Sequence, residues 1–174
     1  MTTNWALPRT ISQYAEPGGE DGHVTWLEVD NFNSLKAFDG KSVRTTRDLI
    51  HIAREPRHDY KEKTYYLKIT NFNFVNLPET VNGIELKISM NRSGRITDET
   101  IQLCKNDVII GDNHASLTLD LIKIYGSETD MWGTNLTMQD IQDPSFGIVI
   151  RFQSHPNWPH KNSPLVDSVE LRIH

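Results

Sequence analysis

Residues Tyr125 to Phe152 read YGSETDMWGTNLTMQDIQDPSFGIVIRF, and their pattern decides the fold class. A polar turn, a Trp132-Gly133 pair, one short helical signal and an alternating apolar run follow one another. Thr137 is a good N-cap, and Asp140 three residues on suits the positive end of a helix. Pro144 stops that helix within one or two turns, so it connects layers and does not form one. Phe146, Ile148, Ile150 and Phe152 then alternate with other residues. Side chains of a strand point to opposite faces in turn, so this run predicts a strand with one face in the core.

The same period recurs on both sides. Tyr65, Leu67 and Ile69 alternate with Tyr66, Lys68 and Thr70. Ile84, Leu86, Ile88 and Met90 interleave with Glu85, Lys87, Ser89 and Asn91, just after the turn signal Asn82-Gly83. Ile101 and Leu103 share a face of a strand over Ile96–Lys105, and Leu117, Leu119 and Leu121 predict another. Val169, Leu171 and Ile173 predict the last, and Val24 and Trp26 lie on one side of the first. Residues 42–54 fit either a strand or a helical turn at Asp48–Ala53. About seven or eight strands, spaced roughly ten to twenty residues apart with little helix, favour a sandwich or barrel. The expected fold is all-β: an antiparallel β-sandwich, jelly-roll-like, with one short connecting helix and an N-terminal arm. Residues 1–25 form that arm, or a first strand plus loop, and residues 26–174 form the sandwich domain.

Composition agrees with a thin sandwich. The chain has 174 residues, 37% of them hydrophobic, and sheets with one wet face need no more. A net charge of -5 argues against nucleic-acid binding, which needs a basic surface. Cys104 is the only cysteine, which excludes an intramolecular disulfide and a cysteine-rich zinc site. A lone cysteine in a strand reads as a small core residue. Residues 1–14 hold no apolar run of signal-peptide length, and no stretch has the length of a membrane span. The expectation is a protein made in a cytoplasm, without membrane or nucleic-acid partners.

The chemistry-bearing residues read as structural. Of seven histidines, His155 and His160 flank Pro156, Trp158 and Pro159 in a loop and would meet only if it folded back. Asp112-Asn113-His114 reads as a β-turn, with too few oxygen ligands for a calcium loop. Glu128, Asp130, Asp140 and Asp143 lie close in sequence, and paired carboxylates can hydrolyse glycosides. Turn formation and helix capping already account for these residues, so catalysis is not expected of them. No nucleophile elbow or phosphate loop occurs. No catalytic residue, cofactor or metal is expected, and the chain reads as a non-enzyme. The contact candidates are Trp158, between two prolines, with His155 and His160 beside it, and Trp5 and Leu7, which are large apolar residues in a polar N-terminal segment.

Four blocks stand in order: Leu67 to Leu86, with Asn71-Phe72-Asn73-Phe74 and Val81-Asn82-Gly83; Asp98 to Leu103 with Gly111-Asp112-Asn113; Tyr125-Gly126-Ser127 with Asp130-Met131-Trp132-Gly133 and Phe146 to Ile150; and Val166 to Ile173. Each block alone is weak. Together they resemble a recurrent β-sandwich module of tailed-bacteriophage virion proteins, over residues 26–174. The charged insert at 54–63 and the Pro-rich loop at 155–164 depart from that pattern, and loops carry partner specificity. The resemblance implies a structural protein of the virion. The leading expectation is a capsid decoration (cement) protein, a homotrimer bound to the major capsid protein or other virion proteins. The alternative is a tail, baseplate or fibre component that binds host-surface glycans.

Overall fold

The computed structural model describes residues 2–174 apart from 17–22, 28, 38, 55–57, 93–95 and 155–161. Its strands are β1 (Pro8–Tyr14), β2 (Val43–Arg44), β3 (His51–Arg54), β4 (His58–Lys61), β5 (Tyr66–Phe72), β6 (Ile84–Arg92), β7 (Ile96–Lys105), β8 (Val108–Ile110), β9 (Ile122–Gly126), β10 (Gly147–Ser154) and β11 (Leu165–Ile173). Among the described residues a 3-10 helix spans Val29–Leu35 and one α-helix, α1, spans Met138–Gln142.

Two antiparallel sheets build the sandwich expected from the alternation. One has five strands in the order β1-β5-β10-β7-β8, and the other four in the order β2-β11-β6-β9. Leaving aside the pairs β3–β4 and β7–β8, consecutive strands alternate between the two sheets. The core lies where their inner faces meet. Leu67, Ile69, Ile101, Leu103, Ile148 and Ile150 come from the larger sheet, and Ile84, Leu86, Ile88, Val169 and Leu171 from the smaller, all fully buried. Each such side chain contributes about 1.5–3 kcal/mol on leaving water.

The N-terminal segment is part of both sheets. Thr3 N–H donates to Ile173 O at 2.9 Å, and Ala6 and Leu171 exchange main-chain bonds at 2.7 and 3.0 Å. The chain then crosses over, and β1 pairs with β5 from Pro8↔Phe72 to Tyr14↔Tyr66. Ala6, Lys36 and β2 thus share one edge of β11, facing Leu171, Ser168 and Leu165–Val166. Three short pieces do the work of one strand.

Local signals explain the connector. Thr137 caps α1, and Asp140 answers with a bond to the Thr137 main chain at 2.7 Å, a closed capping box. The described part of the charged insert contributes β4, which pairs antiparallel with β3 from His51↔Lys61 to Arg54↔His58. Glu62 closes the base of this pair by accepting two Arg47 bonds at 2.8 and 2.9 Å and the Ile50 N–H at 2.6 Å.

Two expected strands are absent, the first of them at Val24 and Trp26, which make only isolated bridges to Thr64 and Thr45. Leu117, Leu119 and Leu121 belong to no strand, and β9 begins at Ile122 instead. The apolar residues change phase there, from odd positions up to Leu121 to even ones at Ile122 and Ile124. No single strand can bury both sets on one face. In β9 the buried positions are Lys123 and Tyr125, and Ile122 and Ile124 face solvent. The reason is Asp98, which projects from β7 and holds Lys123 Nζ at 2.9 Å inside the sandwich.

Candidate interaction surface

The Tyr125–Gly133 motif forms a lock at one end of the sandwich. Trp132 has a φ of 55°, in the left-handed region, and its indole is fully buried. Asp130 Oδ1 accepts the Trp132 N–H at 2.7 Å, and Trp132 Nε1 donates to Ile84 O at 2.8 Å. The His114 ring stacks on the indole with centroids 4.1 Å apart. Gly126 makes the close approach possible, because a Cβ there would lie 2.1 Å from Ile84 O.

The four neighbouring carboxylates serve this architecture. Asp130 fixes the Trp132 turn, Asp140 caps α1 and pairs with Lys105, and Asp143 accepts the Ser145 N–H at 2.8 Å. Glu128 is exposed in a turn. Bonds from Lys105 and Thr137 hold Asp140 well below the usual carboxylate range, and Ser145 lowers Asp143. A carboxyl held ionised in this way is poorly suited to act as a general acid.

The contact candidates separate. Trp5 is half-buried on the outer face of the smaller sheet, with Lys87 Nζ 4.6 Å and Arg172 Cζ 4.4 Å from its ring centroid. It is a cation–π clamp on β6 and β11. Leu7 is half-buried at the crossover between sheets, and its carbonyl accepts from Asn73 N–H at 3.0 Å. Trp158, His155 and His160 lie outside the described residues. Cys104 is buried, and burial pushes its thiol up to about 12, so a reactive thiolate is disfavoured.

Arg151 anchors a second cluster, on the outer face of the larger sheet, and is 1% exposed. Its Nε donates to Thr64 O at 3.0 Å, Nη1 to Glu16 Oε2 at 2.8 Å, and Nη2 lies 2.8 Å from His23 Nε2. Its guanidinium sits 4.5 Å over Tyr66, which stacks on Tyr14 at 5.1 Å. Nearby, Lys63 Nζ donates to Glu99 Oε1 at 2.7 Å. The Arg151 bond lowers the Glu16 pKa. Burial alone would raise Glu99, but bonds from Lys63 and Thr100 outweigh it and leave that carboxyl lowered. Burial, then the Arg151 charge, pushes His23 below its ordinary 6.5.

These shifts give stability a pH dependence. The fold favours neutral His23, so the stability it contributes is complete above about 6.5 and is lost as pH falls through the lowered folded value. Glu16, Glu99 and Glu85 favour the ionised form. For Glu85, bonds from Arg172 and His174 outweigh burial, and the contribution of all three is lost below the ordinary 4.5. The melting temperature is therefore expected to stay level from neutrality up to the ordinary thiol value of 9.0, above which the buried Cys104 and Tyr125 favour the neutral form and stability falls, and to fall in two stages on acidification. A calorimetric series with His23→Gln should lose the first stage alone. A first stage that persists in His23→Gln would show that another group titrates.

The largest departure from an ordinary surface lies at β9. Leu117, Leu119, Leu121, Ile122 and Ile124 are 60, 42, 51, 58 and 56% exposed. Five large apolar side chains are thus exposed within eight residues, a concentration of exposed apolar surface of the kind found at interaction sites. The outer face beside it is ionic, with Lys87–Glu170 at 2.8 Å and Arg172 on Glu85. No family model, curated protein or solved structure matches this chain.

Proposed function

We propose that this chain is a non-enzymatic structural protein of a tailed-phage virion, acting as a decoration (cement) protein on the capsid. The observation that carries the assembly role is the exposed apolar run from Leu117 to Ile124. An acidic, water-facing domain gains nothing from such a run unless another protein surface covers it. The virion context rests on the sequence resemblance of the ordered motif blocks alone. They also serve closure of the sandwich, as the Trp132 lock and the α1 cap do. Decoration proteins need complementary surfaces repeated in many copies.

Quantitative gel staining of purified particles is expected to show this chain at hundreds of copies per particle, a number that falls sharply in Leu119→Glu/Ile124→Glu. A handful of copies would overturn the head location. That result would favour a tail or fibre component, for which the half-buried Tyr14–Tyr66 stack offers a ring surface to a host glycan. Glycan-array binding lost in Tyr14→Ala would then support this second reading.

A further inference from the structure

We propose that β9 pairs edge to edge with β9 of a second copy of this chain, joining the two four-stranded sheets across a two-fold axis. This rests on reading the Leu117–Ile124 run as an assembly surface, and it names the partner.

The main chain carries the argument. β9 is the end strand of its sheet. Met90 N–H donates to Leu121 O at 2.7 Å, and Lys123 and Tyr125 face Ile88 and Leu86. Hydrogen-bonding direction alternates along an antiparallel strand. The N–H and C=O groups of Leu121, Lys123 and Tyr125 therefore point at β6, and those of Ile122 and Ile124 point away from it. The same two residues expose more than half of their side chains. A free row of donors and acceptors beside apolar side chains fits one kind of occupant, another β-strand.

Edges that stay single are usually blocked by an outward lysine, a proline or a bulge. None of these devices guards β9. Residues 121–126 contain no proline, the register with β6 runs unbroken, and Lys123 turns inward to Asp98. A covered edge has no need of them.

The register identifies the occupant as the same chain. In two-fold antiparallel pairing, Ile122 lies opposite Ile124 of the second copy and Ile124 opposite its Ile122. This adds about four main-chain hydrogen bonds and gathers four isoleucines on one face. The two Lys123 residues meet at the axis, but each points into its own core and is already paired with its own Asp98 at 2.9 Å. Asp120, the one other charge in the run, falls opposite Gly126 of the second copy. No like charges meet on the outer face. The contact is isologous and closes at two copies, which favours a dimer over the trimer expected of a decoration protein.

Light scattering on the purified full-length chain at micromolar concentration is expected to give twice the chain mass. Ile122→Lys/Ile124→Lys should halve that mass while the melting temperature stays near wild type, since both side chains are exposed. Native-state hydrogen exchange should show the Ile122 and Ile124 amides protected in the wild-type chain, and this arm does not depend on any variant folding. A wild-type monomer, a trimer, or a dimer with fast-exchanging Ile122 and Ile124 amides would each overturn the pairing. If the wild-type chain is monomeric yet Leu119→Glu/Ile124→Glu still strips it from particles, the pairing fails while the proposed function survives. A dimer absent from any particle gives the converse.

Discussion

Asp98→Ala and Lys123→Met are each expected to lower stability by about 3–5 kcal/mol, because each leaves a bare charge inside the sandwich. In a chain of this length that is a melting shift of about 10 °C. The side chains are 0 and 3% exposed and meet at 2.9 Å. Tyr125 Oη also donates to Asp98 Oδ2 at 2.7 Å, and burial beside that carboxylate pushes its phenol far above the ordinary value. Asp98 thus ties β7 of one sheet to two residues of β9 in the other. The pair itself adds little net stability, since its attraction is set against the desolvation of both ions. Single and combined changes should therefore be strongly non-additive. Asp98→Leu/Lys123→Met leaves the buried Tyr125 hydroxyl unpartnered, a residual cost of about 1–3 kcal/mol, and also removes the 3.3 Å acceptor of the half-buried Ser116 N–H. Adding Tyr125→Phe should return the domain close to wild type. Urea unfolding of the four chains tests this, and single substitutions costing under about 1 kcal/mol would show that water reaches the pair.

That pair also marks where the fold stops being legible. Strands β6, β10 and β11 follow from their own residues, since Ile84, Ile148 and Val169 each begin an alternation whose apolar face is the buried one. The capping box of Thr137 and Asp140 is equally local. In β9 the rule inverts. A lysine between two isoleucines reads as the wet residue, and only a carboxylate 25 positions earlier makes it the buried one. The strand expected at Leu117–Leu121 has the parity of the buried Lys123 and Tyr125, yet its leucines are exposed and no strand forms there, for which the local sequence gives no sign. The N-terminal pairing is hidden in the same way, because Thr3 meets Ile173 across 170 positions of chain.

The candidate surface was harder to see than the fold. An exposed leucine and a core leucine carry the same letter, and only the phase change at Leu121–Ile122 signals that two faces are apolar. Arg151 gives no local sign, as its partners Glu16, His23 and Thr64 lie 87 to 135 positions away. The carboxylates were the opposite case. Their roles in turn and cap follow from neighbours within a few residues, and only the Lys105–Asp140 pair, 35 positions apart, depends on the tertiary fold.

Trp132→Ala is expected to cost about 3–5 kcal/mol, the range for deleting a buried aromatic, and Trp132→Gly is expected to cost less. That order reverses the usual one, in which glycine is the worse residue by about 0.5–1 kcal/mol in a regular element. The reversal comes from the backbone. With φ at 55°, every side chain carries a left-handed penalty of about 1–2 kcal/mol that glycine escapes. The native chain tolerates it because the indole fills the end of the core, donates to Ile84 O and supports the His114 ring. Gly133 follows at a φ of 66°, and a Cβ on it would meet the Asp112 carboxylate at 2.5 Å, so the turn cannot shift the strain one residue along. Chemical denaturation of the two variants separates the contributions: their common loss measures the indole, and their difference measures the backbone. If the glycine variant proves the less stable, the left-handed turn relaxes once the indole is gone, and the ring rather than the chain holds Trp132 in place.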